Sequence, residues 1–262
     1  MINIELLNIE TSEHDSRDLV IESINNPTFE FPESVDYRKD LPRAWDQGSD
    51  GPCSAYAAAA IKTWQELKDY GSTEELSRYF IYNLRHNAPK KGMTPRHTMQ
   101  LLRKYGIPYK DSFKRRWKKK EDIPQEVMDE AINHRILGYA RIMTVDGLKK
   151  SIYKNGPAYI AMPVFNDSSS FWKANFNERI LGGHALCVVG YNSDGFILRN
   201  SWGSNWSDRG HTTYPYSDWG SHYEAWTSID EKSNAPVLNT TKKKDAVKKR
   251  RSIFRRFLSI FK

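Results

Sequence analysis

The chain of 262 residues contains only two cysteines, Cys53 and Cys187, which is too few for a disulfide framework. Such sparse use of cysteine favours a reducing compartment over a secreted or lysosomal one. No stretch approaches the roughly 20 consecutive apolar residues of a membrane-spanning helix. The N-terminus has neither the basic region nor the apolar region of a secretory signal. We therefore expect an intracellular, cytoplasmic location.

An excess of one charge is also absent from most of the chain. The formal net charge is +8, but residues 242–262 contain ten Lys/Arg and one Asp. The other 241 residues hold 30 basic and 31 acidic side chains. The body is therefore close to neutral, and the basic character belongs to the C-terminal tail.

On a helical wheel, the tail places its apolar residues on one side and its basic residues on the other, with Arg250 as the exception. A basic amphipathic helix of this kind is typical of an anionic membrane surface or of a helix-binding groove on a partner protein. Nuclear import, binding of nucleic acid, and a solvated tail without function are the alternatives. We favour the membrane or protein partner. The basic run at 114–120 is interpreted as a solvated loop.

Helical patterns dominate the first half of the chain, and short apolar runs separated by turn residues dominate the second. This order predicts an α+β fold with two lobes. We expect an N-terminal extension at 1–33, a helical lobe at 34–136, a strand-rich lobe at 137–230, and a linker with the tail at 231–262. The expected helices are Ser16–Ile24, 53–70, Glu74–Arg85 and Pro95–Tyr105, and the expected strands are Ala158–Val164, Ala185–Tyr191, Gly195–Arg199 and His211–Tyr216.

Cys53 lies at the predicted start of a helix, directly after Pro52 and before an alanine run. The positive end of the helix dipole stabilises a thiolate over a thiol, and the thiolate is the nucleophile. The position therefore predicts a reactive cysteine. Cys187, inside the apolar run that starts at Ala185, is predicted to be a core residue.

A nucleophilic thiol needs a base, a group that orients the base, and donors for the developing oxyanion. His184 follows two glycines at the start of a predicted strand, 131 residues after Cys53, and Asn200 follows 147 residues after Cys53. These separations are typical of papain-type peptidases. The other six histidines are interpreted as surface or core residues. With the cysteines they form no zinc-binding pattern, and we expect no metal and no cofactor.

Three blocks occur in order: Gln47 six residues before Cys53, His184-Ala185, and Asn200-Ser201-Trp202-Gly203. With them, the chain resembles the papain-like cysteine peptidases over roughly residues 34–228. The segment from Asp46 to Ala57 and the Tyr214-Pro215-Tyr216 segment resemble the compact bacterial, archaeal and viral members, which adds the virion as an expected location. The resemblance implies a papain-like two-lobed fold, with a helical domain, a β-barrel-like domain and the active site in the cleft between them.

The resemblance also implies the catalytic roles. Cys53 would attack the peptide carbonyl and form a thioester, and His184 would act as acid and then as base. Asn200 would orient the histidine, and the Gln47 amide would donate to the oxyanion. Trp202 would cover the contact between Asn200 and His184. An imidazolium and the helix dipole together lower the pKa of such a thiol to roughly 3–4.

For the substrate, the resemblance implies that Gly92 and Met93 pair with the peptide backbone. Met93, Ala158 and Ala185 would form the pocket for the second residue before the cut, with a preference for an apolar side chain. The 33 residues before the body are too few for the usual inhibitory propeptide of the family. They leave two alternatives: a short pro-segment lying in the cleft, or no latency.

Two other functions are compatible with the sequence. One is a peptidase-like adapter without catalysis that docks through its basic tail. The other is an acyl transferase that uses the same residues with an amine in place of water. The complete set of Gln47, Cys53, His184 and Asn200 favours peptide hydrolysis, with a peptide or protein as substrate.

Overall fold

The structure, a computed structural model, describes residues 7–24, 30–48, 51–88, 91–114 and 120–230. The predicted amphipathic tail and residues 115–119 of the basic run lie outside them. The α+β class is confirmed. The described residues form six α-helices: α1 Ile21–Ile24, α2 Cys53–Tyr70, α3 Phe80–Asn83, α4 Pro95–Tyr105, α5 Gln125–Ile132 and α6 Val145–Asn155.

Seven strands of the described part of the chain form one antiparallel sheet. They are β1 Val35–Asp36, β2 Gly138–Ile142, β3 Ala158–Val164, β4 Gly182–Tyr191, β5 Gly195–Arg199, β6 His211–Pro215 and β7 Glu224–Ile229. The strand order is β2-β7-β3-β4-β5-β6, and β1 pairs with the end of β4 at Gly190 and Tyr191, on the edge opposite β5. Strands β3 and β4 are therefore central, which is why nearly every residue in them is buried.

Helix α2 lies against the sheet and is buried on almost every side. Its four consecutive alanines, Ala57–Ala60, let the helix approach β4 closely, and Ala185, Cys187 and Val189 of that strand belong to the same apolar cluster. The helix ends at Gly71, which adopts a left-handed φ of 66° and donates its N–H to the Leu67 carbonyl. A residue with a Cβ is disfavoured in that conformation, so the glycine sets the end of the helix.

The other face of the sheet packs against α6. Leu186 and Val188 of β4 point to this side together with Ile160 and Met162 of β3, because successive residues of a strand face opposite sides. This alternation decides which residues of β3 and β4 can reach the α2 side. Residues of one strand that are an odd number of positions apart therefore face opposite sides of the sheet.

The structure corrects several predicted elements. Residues 74–79 are not helical, because Ser77 and Lys110 donate backbone hydrogen bonds that join this stretch to residues 108–110, and only α3 remains of the predicted helix at Glu74–Arg85. The predicted helix at Ser16–Ile24 is reduced to α1, since Val20 forms a bridge with Arg141. Strand β4 begins at Gly182, three residues before its predicted start.

Candidate active site

Cys53 is the first residue of α2, and its side chain is completely buried. Its Sγ–H donates to Oδ1 of Asn8 over 3.8 Å. Burial raises the pKa of the Cys53 thiol to about 11, although backbone hydrogen bonds from Ala185, Ser54 and Asn8 act in the opposite direction. The helix position agrees with the prediction. The lowered thiol pKa does not hold for this arrangement, because desolvation outweighs the stabilising N–H groups.

His184 and Asn200 are joined by a hydrogen bond of 2.7 Å between Nε2 and Oδ1. The Asn200 oxygen also accepts from the backbone N–H of Ser201, which fixes it as the acceptor. His184 therefore carries a proton on Nε2, and its Nδ1 has no hydrogen-bond partner among the described residues. Burial lowers the pKa of His184 to about 4, and the hydrogen bond to Asn200 only partly offsets this.

Trp202 lies over the imidazole of His184. The two rings are nearly parallel, with an interplanar angle of 25° and centroids 4.7 Å apart. Phe171 contacts both rings and closes the apolar side of this group. Trp202 and Phe171 thus give His184, and with it the hydrogen bond to Asn200, an apolar surrounding.

Gln47 is held beside Asn200 by the neighbouring residue Ser201. The backbone N–H of Gln47 donates to the Ser201 carbonyl over 2.9 Å, and the Ser201 hydroxyl donates to Oε1 of Gln47. Because Oε1 is the acceptor, the amide turns its Nε2 the other way, and this buried donor has no partner in the part of the chain that the structure describes. An oxyanion requires a donor of this type.

The N-terminal residues 7–12, here called the cleft segment, lie between the helices and the sheet. Ile9 donates its N–H to the Gly183 carbonyl over 3.0 Å and forms a parallel bridge with Met93. Met93 donates to the Asn8 carbonyl over 3.1 Å, and Glu10 donates to the Met93 carbonyl over 3.3 Å. The segment is therefore paired with backbone from both sides of the cleft.

Two glycines allow this close approach. A Cβ on Gly183 would collide with the Ile9 carbonyl, and one on Gly92 would collide with the Glu10 carboxylate. Gly92 also adopts a φ of 105°, which side chains disfavour. Asn8 completes the contact, since its Nδ2 donates to the Gly51 carbonyl over 2.7 Å and to the Tyr82 hydroxyl over 3.2 Å.

Two of the predicted substrate-binding residues, Gly92 and Met93, contact the cleft segment. Ala185 directly follows His184 on β4, and Trp202 stacks on the imidazole of His184. Ala158 does not join them. It lies opposite Val188, and its side chain belongs to the cluster on the α6 side of the sheet. Ala161 is the residue of β3 that pairs with Ala185 and shares its cluster on the α2 side. Ala158 and Ala161 are three positions apart and therefore face opposite sides of the sheet. The sequence alone does not give the strand register, so it does not show which of the two faces the cleft.

The site contains further residues that are absent from the sequence prediction, among them Asn8, Phe171 and Ser201. Ser201 could have been found, because it directly follows Asn200 in the Asn-Ser-Trp-Gly block. Asn8 and Phe171 carry no local signal, since they reach the site only through the tertiary path of the chain.

Both cysteines are free, and Cys187 is buried, as predicted for a core residue. Burial raises the pKa of its thiol to about 12. Within the described ranges, no three His, Cys, Asp or Glu side chains come together as a metal site. No helix among these residues has the length and apolar character needed to cross a membrane.

The fold and this residue set define a class. Helices against an antiparallel sheet, with a cysteine at a helix start and a histidine–asparagine pair on the sheet, are the arrangement of papain-like thiol peptidases. The chain belongs to the papain family of cysteine proteases, whose family model matches residues 31–229.

Among solved structures, the chain is similar to xylellain, a cysteine protease from Xylella fastidiosa. The identity is 22%, the TM-score is 0.72, and the match covers 86% of this chain and 96% of the other. A procathepsin B from Trypanosoma congolense matches with 17% identity, a TM-score of 0.68 and 87% coverage of both chains. At these identities the likeness shows the fold, and it confirms the papain-like architecture.

Among curated proteins, an uncharacterized peptidase-like protein of Acanthamoeba polyphaga mimivirus is 31% identical over 201 residues, or 65% of this chain and 63% of the relative. Caricain of Carica papaya is 26% identical over 197 residues, or 71% of this chain and 56% of the relative. The chain thus spans less than two thirds of the length of either protein.

Proposed function

We propose that this protein is a cysteine peptidase that hydrolyses peptide bonds through a thioester intermediate. The main support is the hydrogen bond between His184 Nε2 and Asn200 Oδ1, because it leaves Nδ1 as a free base. Nδ1 takes the proton from Cys53, and the thiolate attacks the substrate carbonyl carbon. The new C–S bond makes the carbonyl oxygen an anion, which receives hydrogen bonds from Gln47 Nε2 and the Cys53 backbone N–H.

The second half of the reaction returns these groups to their starting state. Imidazolium Nδ1–H protonates the leaving amine as the C–N bond breaks, and the thioester remains on Cys53. His184 then removes a proton from water, and the hydroxide attacks the thioester carbonyl. The C–S bond breaks, the acid leaves, and the sulfur recovers its proton from His184.

The cleft segment serves as a short pro-segment in this proposal. While it covers Cys53 and His184, both groups are desolvated and favour their neutral forms, with pKa values of about 11 and about 4. When the segment leaves, water and substrate enter, and the thiolate–imidazolium pair is no longer opposed by burial. Latency therefore comes from exclusion of substrate together with suppression of the ion pair.

Hydrolysis of a peptide library by the full-length protein tests the proposed function. The wild type and Ile9→Asp, which places a charge at a buried position of the cleft segment, should both release peptides, and Ile9→Asp should do so faster. Cys53→Ala should abolish release, while Cys187→Ala keeps it. No cleavage by any of these proteins, combined with no labelling by thiol reagents, would favour the catalytically silent adapter. An added amine that is acylated in preference to water would indicate the acyl transferase.

The basic tail is proposed to bind an anionic membrane surface, on the strength of the amphipathic pattern of residues 242–262. Full-length protein should sediment with vesicles containing phosphatidylserine, and a chain of residues 1–238 should remain in the supernatant. Equal sedimentation of both would exclude the tail as the anchor. Binding of a protein partner in place of vesicles would support the second interpretation of the same pattern.

A further inference from the structure

Several large apolar side chains lie exposed around β2, a strand at the edge of the sheet. Leu137 and Met143 lie at its two ends, and each is more than half exposed. The backbone N–H of Arg141 donates to the Leu19 carbonyl over 2.7 Å, so the N-terminal chain runs along the open side of this strand. We call the exposed apolar residues here the β2 surface: Leu19, Ile24, Leu137 and Met143.

The last described residue, Asp230, lies beside the β2 surface. Leu137 donates its N–H to the carbonyl of Ile229 over 2.9 Å. Residues 231–241 connect Asp230 to the basic tail at 242–262. A flexible chain of this length has a root-mean-square end-to-end distance of about 18 Å and a maximal reach of about 36 Å. The tail is therefore tethered within reach of the whole β2 surface, at an effective concentration of about a millimolar.

The charges of the tail and of the N-terminal chain are complementary. Residues 242–262 hold ten Lys/Arg and one Asp, whereas residues 1–33 hold eight acidic side chains and one Arg. The chain between them, 34–241, holds 29 basic and 23 acidic side chains and therefore repels the tail on average. Glu13 of the N-terminal chain and Asp146, close to Met143, are exposed carboxylates. Electrostatic attraction thus directs the tail to the N-terminal side of the molecule.

The amphipathic pattern of the tail fits the β2 surface in kind and in length. A helix over 242–262 would be about 31 Å long, and Leu137 and Met143 are about 20 Å apart along β2. Its apolar side, which includes Phe254 and Phe257, can cover the exposed apolar residues while its basic side meets the carboxylates. Burial of apolar area on both partners then adds to the attraction between the charges.

We propose that residues 242–262 bind the β2 surface of their own chain and thereby hold the cleft segment in place. Leu19 and Ile24 belong to the same N-terminal chain as the cleft segment, and Arg96 holds the part between them through Asp18 over 2.8 Å. A bound tail therefore opposes departure of the cleft segment. An anionic membrane competes for the same basic residues, so membrane binding removes this restraint. The effect on latency rests on the peptidase function proposed above, whereas the docking of the tail does not.

Carbodiimide cross-linking of the full-length protein tests the docking, because this reagent joins a lysine to a carboxylate that it contacts. We expect cross-links from tail lysines to Glu13 or Asp146, located by mass spectrometry. The double variant Leu137→Ser and Met143→Ser should lower their yield by about fivefold or more, since the tail loses two apolar contacts. Phosphatidylglycerol vesicles should lower the yield in the wild type. Phe176→Ser, which alters an almost fully exposed aromatic between β3 and β4, is the control and should change nothing.

Alkylation of Cys53 measures the effect on the cleft segment. The double variant should be alkylated about three- to tenfold faster than the wild type, and Phe176→Ser at the wild-type rate. Cross-links that persist in the double variant, or that form only between molecules in a mixture of isotope-labelled and unlabelled protein, would overturn the inference. Loss of the cross-links with an unchanged alkylation rate would overturn the restraint on the cleft segment. Neither readout requires peptide cleavage, so an inactive enzyme would count against the peptidase function alone.

Discussion

Helix α2 carries two buried polar clusters that are treated in opposite ways. Around Lys62, in the middle of the helix, the charges are matched: its ammonium is 2.8 Å from Glu66 and also bonds Asp230. His134 contacts the other Glu66 oxygen at 3.2 Å. Around Cys53, at the start of the same helix, one polar atom each of Gln47, His184 and Asn200 is buried without a hydrogen-bond partner in the described ranges.

The cluster around Lys62 contributes to stability, whereas the cluster around Cys53 is arranged for chemistry. A buried donor or acceptor without a partner costs about 1–3 kcal/mol, so a fold keeps few of them. The cluster around Lys62 pairs its charges and joins α2 to the end of β7. The cluster around Cys53 leaves one buried polar atom unpartnered on each of three described side chains, and in the proposed reaction the substrate meets two of these atoms, Gln47 Nε2 and His184 Nδ1.

The largest expected effect on stability is that of Lys62→Met. It leaves the Glu66 and Asp230 carboxylates buried without their cation, which costs about 3–5 kcal/mol in the free energy of unfolding. Urea unfolding followed by tryptophan fluorescence measures it, and Lys68→Met, at a half-exposed position of the same helix, is the control. Adding Glu66→Gln and Asp230→Asn should recover part of the loss. A change below about 1 kcal/mol for Lys62→Met would show that the cluster does not hold the fold together.

The same cluster predicts a loss of stability in acid. Burial alone would raise the pKa of Glu66, but Lys62 and His134 hold it at about 2, below the ordinary value of 4.5. A carboxyl with a lowered pKa stabilises the native state above its unfolded pKa, and this contribution disappears as the pH falls from about 4.5 towards 2. The free energy of unfolding of Glu66→Gln should therefore vary less over this range than that of the wild type. Parallel pH profiles would contradict this assignment.

The opposite pattern is expected for Gln47→Ala at the other end of α2. Loss of one oxyanion donor should lower kcat per folded molecule by about 10²–10³-fold while KM changes little, beyond the cost of about 1–3 kcal/mol in the free energy of unfolding for the Ser201 hydroxyl that loses its acceptor. Gln100→Ala, an exposed amide on α4, is the control. A loss of activity that merely follows a loss of folded protein would remove Gln47 from the catalytic group.

These two clusters show which contacts can be predicted from the sequence and which cannot. Cys53, His184 and Asn200 were identified because their local motifs and separations are constrained by chemistry. The association of Lys62 with Asp230 was not, since it depends on how the end of β7 meets α2, 168 residues later in the chain. The sequence predicts helix α4 to its last residue. It also predicts a helix at 74–79, where backbone hydrogen bonds with residues 108–110 form in place of helical ones.

The same limit explains the errors at the substrate side. Ala158 and Ala161 are both small residues of one strand, and only the pairing with β4 shows which of them lies beside Ala185. A low pKa of the Cys53 thiol follows from the helix dipole and an imidazolium alone. The cleft segment buries the thiol, and burial raises its pKa. Residues 7–12 gave no sign that they would bury Cys53, as their pairing with Gly183 and Met93 is a tertiary contact.

The smallest effect is expected for Asn8→Ala. It removes the acceptor of the Cys53 thiol and two bonds that hold the segment to Gly51 and Tyr82. At about 0.5–1.5 kcal/mol for a hydrogen bond, loosening the segment should raise the alkylation rate of Cys53 by up to about tenfold. Asn175→Ala, in an exposed turn, should not change the rate. Equal rates for wild type and Asn8→Ala would mean that Asn8 does not restrain the segment.

The pH dependence of Cys53 alkylation tests the central claim most directly, with the label located by mass spectrometry in full-length wild type and Ile9→Asp. In the wild type we expect slow labelling that rises only in alkaline solution, because the pKa of the covered thiol is about 11. In Ile9→Asp we expect rapid labelling on a plateau that extends through neutral pH, as a thiolate–imidazolium pair gives. Alkaline-only labelling of Cys53 in both proteins would contradict the account of an activated thiol held neutral by residues 7–12.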